Sequence, residues 1–104
     1  MKIYFIDKDG KYLDIKKKLE EIKNETIEVK ESIKHRIIKT DLVITVDLKD
    51  EYEEYQKVNN LIILTLEKDK KIIWNMANKL KTKDIIDLSN NVDYIVKRIY
   101  SNIS

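Results

Sequence analysis

Apolar and β-branched residues gather in five short runs along this chain: Ile3–Ile6, Thr26–Val29, Leu42–Val46, Leu61–Leu66 and Ile85–Leu88. Each is entered through polar or charged residues, and each has the length of a strand buried on both faces. Between the runs the period changes. Tyr12, Ile15, Leu19 and Ile22 recur at helical spacing, with Lys16–Lys18, Glu20 and Glu21 largely on the other side. This predicts an amphipathic helix of about three turns, ended by Asn24. Glu31–Ile38 predicts a short helix with Ile33 and Ile37 inward. Asp50, Glu51, Glu53 and Glu54 precede Tyr55 and Val58, and carboxylates suit the positive end of a helix dipole, so another short helix is expected over about residues 50–58. Ile73, Met76, Ala77 and Leu80 form the buried stripe of a helix within 72–80, with Ile72 and Trp74 off its centre. A last helix, capped by Ser89 or Asn90, turns Val92, Ile95, Val96, Ile99 and Ile103 inward.

Strands that alternate with helices need crossover connections, so the sheet is expected to be parallel. Right-handed crossovers then give an α/β, flavodoxin-like (βα)5 three-layer sandwich of strand order 2-1-3-4-5, with the unbroken Leu42–Val46 run near its centre. No proline, repeat or low-complexity stretch interrupts the pattern, and one domain over residues 1–104 is expected. Ligand chemistry in such sheets gathers at the carboxyl ends of the strands. Here those ends are Asp7–Lys8–Asp9, Asp47, Thr65 and Asp87–Ser89.

Composition narrows the chemistry. The chain has no cysteine, which removes disulfides, thiol catalysis and thiolate metal sites together. Its one histidine, His35, lies between Lys34 and Arg36, where an exposed face suits it better than a phosphorelay or catalytic role. Twenty-one basic against 19 acidic residues leave a net charge of +2, too little for a chain-wide field that attracts nucleic acid. The lysines at Lys8, Lys68–Lys71 and Lys79–Lys83 are interspersed with acids and read as solvated faces. One glycine, Gly10, is too few for a nucleotide loop, so Asp9-Gly10 reads as a turn. No run approaches the roughly 20 apolar residues that span a bilayer, and the start of the chain enters a strand without a cleavable signal. The expectation is a cytoplasmic protein with no membrane partner.

Three segments, taken in order, resemble a response-regulator receiver domain along nearly the whole chain. Lys-Ile-Tyr-Phe-Ile-Asp7-Lys-Asp9 resembles the first strand with its acidic pair. Thr40-Asp41-Leu-Val-Ile-Thr-Val-Asp47 resembles the third, which begins with an aspartate ahead of its apolar run. Asn60-Leu-Ile-Ile-Leu-Thr65 resembles the fourth, closing on the hydroxyl that contacts a phosphoryl group. The departures from the family pattern are as informative. The phosphoacceptor position, five residues past the strand-opening aspartate, is Val46, and Asp47 stands one residue late. Since side chains alternate along a strand, one step turns Asp47 to the other face unless a bulge intervenes. Lys8 puts an ammonium where the second acid of the pair belongs, and the expected Lys-Pro after the fifth strand is absent.

The resemblance therefore implies an atypical, non-catalytic pseudo-receiver of bacterial signalling type. It is similar to the domains fused ahead of ParA/MinD-like ATPases in pilus-localisation proteins of the Tad/Cpa kind. A docking or dimerisation module without a cofactor follows, placed in the N-terminal part of a larger protein because the last helix runs to Ser104. The alternative is a divergent phosphoacceptor receiver in which Asp7, Asp9 and Asp47 hold Mg²⁺ beside Thr65. Against that, Asp9 would cap the turn while Asp7 and Asp47 end their strands in solvent. Trp74, Tyr94 and Tyr100 fall at the margins of their helix faces, where large aromatics anchor protein interfaces, and a homodimer through the surface of the last two helices and the fifth strand is expected.

Overall fold

The computed structural model describes residues 2–23, 27–30, 33, 41–48 and 52–103. Their order is β1 (Ile3–Ile6), α1 (Leu13–Lys23), β2 (Glu28–Lys30), β3 (Leu42–Val46), α2 (Tyr52–Tyr55), β4 (Leu61–Thr65), α3 (Lys70–Lys79), β5 (Thr82–Asp87) and α4 (Val92–Ile103). The five strands form one all-parallel sheet of order β2-β1-β3-β4-β5, the α/β flavodoxin-like arrangement that the alternating pattern predicts. The helix expected over Glu31–Ile38, His35 with it, and the Asn24 helix end lie outside the described residues apart from Ile33.

Period-two alternation along the strands splits the core. Ile3, Phe5, Leu42, Ile44, Ile62, Leu64 and Ile86 meet Ile15 and Leu19 of α1 and Ile95, Val96 and Ile99 of α4. Tyr4, Ile6, Val43, Leu61 and Ile63 meet Tyr55, Val58, Met76 and Leu80 on the opposite face. The sheet is thus covered on both sides, as an apolar parallel sheet must be. Burying side chains such as Phe5, Ile44 or Ile62 completely contributes roughly 1.5–3 kcal/mol each.

Several boundaries depart from the sequence reading. Thr26, where the second strand was expected to begin, lies outside the described residues; β2 runs Glu28–Lys30, and its register of Tyr4 with Glu28 and Ile6 with Lys30 draws Lys30 into the strand. β4 ends at Thr65, leaving Leu66 half exposed, and β5 begins at Thr82 and stops at Asp87. The polar Thr82–Asp84 segment reads poorly as a strand because it lies at the sheet edge, where only one side is paired. Ile22 lies on the inward stripe of α1 yet is 51% exposed. Ala77, expected inside, is exposed, and α3 rests on the sheet chiefly through Met76 and its closing residue Leu80. The cap of α4 is Asn91, whose Oδ1 accepts the Tyr94 N–H at 2.8 Å, rather than Ser89 or Asn90. Those two side chains are already engaged with Asp87.

Candidate functional site

The pairing register lines up the carboxyl ends of the strands. Ile6 stands opposite Thr45, Val46 opposite Leu64, and Thr65 opposite Asp87. Asp7, Val46–Asp47, Thr65 and Asp87 therefore form a row along one end of the sheet, but their side chains do not converge.

Asp7 follows Ile3 and Phe5 in the alternation, on the α1/α4 side. It is buried, against the expectation that it ends its strand in solvent, and its Oδ2 accepts the Tyr12 N–H at 2.8 Å. Gly10, at φ +66, bonds through its N–H to the Asp7 carbonyl and closes the turn. A left-handed φ is the conformation for which glycine has no steric penalty. Asp7, rather than Asp9, thus anchors this loop; Asp9 and Lys8 are exposed.

Val46, five residues past Asp41, packs its side chain against the α1/α4 core. Asp47 leaves the strand with φ 56 and an exposed side chain, while its N–H bonds to the Leu64 carbonyl at 2.8 Å. Aspartate tolerates this left-handed geometry better than most residues. Thr65 follows Leu61 and Ile63, so it projects to the α2/α3 side, opposite Asp7. It is buried, and its Oγ1 accepts the Glu67 N–H at 3.0 Å, turning the chain after β4. Among the described residues, no group of three histidine or acidic side chains is placed to hold a metal ion.

Two polar clusters escape the sequence reading. Thr45 Oγ1 and Tyr55 Oη share a buried hydrogen bond of 2.8 Å, which joins β3 to α2. At the tips of β4 and β5, Lys68 Nζ pairs with Asp87 Oδ2 and donates to Ser89 Oγ at 3.1 Å. Ser89 gives both its N–H and its hydroxyl to Asp87 Oδ1, each at 2.8 Å. The Lys68 ammonium, helped by the two Ser89 donors, pushes the Asp87 carboxyl down to about 2. Lys68 is thus committed to one acid rather than to a general basic face. Only the β4–β5 register, which sets Thr65 beside Asp87, puts these residues within reach. No spacing in the sequence announces them.

The aromatic residues expected at one interface divide. Trp74 is 66% exposed, on the margin of α3 away from Lys79, whose ammonium lies over the Tyr52 ring of α2 at 5.4 Å. Tyr94 lies one turn before Arg98, which covers its ring at 5.9 Å and pairs with Asp84 of β5. Tyr100 stands two turns past Asp93, whose carboxylate bonds Lys18 of α1, and so belongs to the opposite margin of α4. Trp74 and Tyr94 thus stand on helices that cover opposite faces of the sheet, and Tyr100 lies on the other margin of α4 from Tyr94.

Among the described residues, no helix is long and apolar enough to cross a membrane. Set against family models, curated proteins and solved structures, the chain matches none. The class that its topology defines is the flavodoxin-like α/β sheet protein.

Proposed function

We propose that this chain is a non-catalytic pseudo-receiver that acts as a protein-association module in the cytoplasm, pairing with a second copy through the surface of α3, β5 and α4. The observation that carries the reading is Val46. A partly buried apolar side chain packed against the core stands where a receiver carries its phosphoacceptor, and the neighbouring carboxylate is turned out to solvent. Asp7, the acid nearest to it in register, is engaged by the Tyr12 N–H. The association half of the reading is supported by Trp74, which leaves two-thirds of its area in water one turn before the exposed Ala77 on the same helix. Such an aromatic is the usual centre of an interface.

Light scattering across concentration tests the association. The native protein is expected to run as a dimer and Trp74→Glu as a monomer, and a native monomer at every concentration would sink the reading. A second reading, the divergent phosphoacceptor, is favoured by the exposure of Asp47 at the tip of β3 beside Thr65. Beryllofluoride with Mg²⁺ separates the two by NMR. Unshifted Asp47 and Thr65 resonances are expected, and shifts at both would establish the second reading in place of the first.

A further inference from the structure

Among the described residues β5 ends the sheet and pairs only with β4, which leaves its other side as an edge. The Leu88 N–H bonds to the Thr65 carbonyl, and by alternation Ile86 also faces β4 while the Ile85 N–H points outward. An outward row of N–H and C=O groups is a template for a strand from another molecule. Here the row is obstructed in three ways. The pairing skips a residue, with Leu61 opposite Thr82 and Ile62 opposite Asp84, so Lys83 is extra and the strand kinks there. Lys83 itself is exposed and charged. Most directly, Asp84 Oδ1 folds back to accept the Ile85 N–H at 2.9 Å.

That carboxylate is held in place from α4. Arg98 reaches it with two nitrogens, Nε to Oδ2 at 3.1 Å and Nη2 to Oδ1, and Asn102 Nδ2 donates to Oδ2 at 3.1 Å. One acid thus receives four hydrogen bonds, three of them from a helix that packs on the sheet. Two side chains fix its orientation, and a carboxylate clamped between guanidinium and amide has little freedom to leave the edge.

We infer that Asp84, clamped by Arg98 and Asn102, is a lock that closes the β5 edge to strand pairing with a second copy of this chain. The inference deepens the association reading proposed above and uses its surface. Its test is independent, because Trp74→Glu leaves the edge untouched.

The experiment compares native protein, Asp84→Ala, Asp84→Asn and Asp84→Ala/Ile85→Pro by sedimentation and by hydrogen exchange at the Ile85 amide, each also in the Trp74→Glu background. Asp84→Ala frees the Ile85 N–H and is expected to raise the average mass at least twofold with concentration, slowing exchange at Ile85 as it does so. Asp84→Asn keeps an acceptor oxygen and should retain the native mass. The added proline removes the N–H, a change that edge strands accept, and should reverse the association. Asp84→Ala at the native mass at every concentration, with the Ile85 amide exchanging faster than in native protein, would overturn the lock. If Asp84→Ala does not fold, the Trp74→Glu protein decides: Ile85 exchange that slows with concentration means that the edge already pairs and refutes the inference, while concentration-independent exchange supports it. Loss of the Trp74 effect alone counts against the docking reading, and loss of the Asp84 effect alone against the lock.

Discussion

Asp47 concentrates the chemistry of the candidate site in one backbone angle. At φ 56 it is the non-glycine residue with a left-handed conformation among those described, and such a residue costs roughly 1–2 kcal/mol relative to ordinary backbone. Asp47→Gly removes the steric part of that cost and adds about 0.5–1 kcal/mol of chain entropy, so a change between neutral and about 1 kcal/mol stabilising is expected. Asp47→Val, β-branched and poorly suited to positive φ, is expected to destabilise by about 1–2 kcal/mol. Urea denaturation of the two variants checks this, and equal midpoints for both would mean that the residue is not held left-handed. The sequence shows that Asp47 stands one position late. It does not show that the chain leaves the strand there, because that depends on the Leu64 carbonyl that receives its N–H.

At the scale of the element, α4 and α3 contrast. α4 buries Ile95, Val96 and Ile99, is capped by Asn91 and is tied to its neighbours through Asp93 and Arg98. α3 has a good cap in Asp69, whose side chain accepts the Lys71 N–H, but buries only Met76 along its length. Replacing Asn91 by Ala removes the Tyr94 N–H partner and is expected to cost about 1 kcal/mol. A thermal or urea scan measures it, and an unchanged midpoint would show that water satisfies that N–H equally well. The inward stripe of α4 was legible in the sequence because its period is clean from Val92 to Ile103. The stripe of α3 holds only in part: Ala77 stands at helical spacing from Ile73 and Leu80, yet it is exposed. β5 is the last strand, and period alone carries no information about where a sheet stops.

For the whole molecule, the perturbed charges set the pH limits. Lys68 lowers Asp87 to about 2, Lys16 and the Ile27 N–H lower Glu20, and Lys18 lowers Asp93. A carboxyl whose folded value lies below its unfolded value stabilises the fold fully above the unfolded value and loses that contribution as pH falls. For Asp87 the loss runs from about pH 4 down to about 2. Lys18, raised above its ordinary 10.5 by Asp93, contributes at all lower pH and loses the contribution as pH rises beyond that value. A stability plateau between these limits is expected. Lys68→Met should flatten the acid limb between pH 4 and 2 and return the Asp87 titration toward its ordinary 3.8, read by NMR and by urea midpoints against pH. An Asp87 midpoint that stays near 2 in Lys68→Met would mean that Ser89 alone holds it there. All three ion pairs lie at or near the surface, so salt should weaken the effect.

By itself the sequence determined the parallel sheet, its strand order and the two-sided core, because these follow from run length, period and the handedness of crossovers, all local or generic properties. It also placed a valine, not an acid, five residues past Asp41. Tertiary structure alone decided which polar groups meet: Lys68 with Asp87 and Ser89, Thr45 with Tyr55, and Asp84 with Arg98 and Asn102. It also put Trp74 on the opposite face of the sheet from Tyr94 and Tyr100, and separated those two on α4. Those pairings depend on strand register and on which margin of a helix borders the sheet edge, and side chains far apart in the chain reveal neither until the elements are packed.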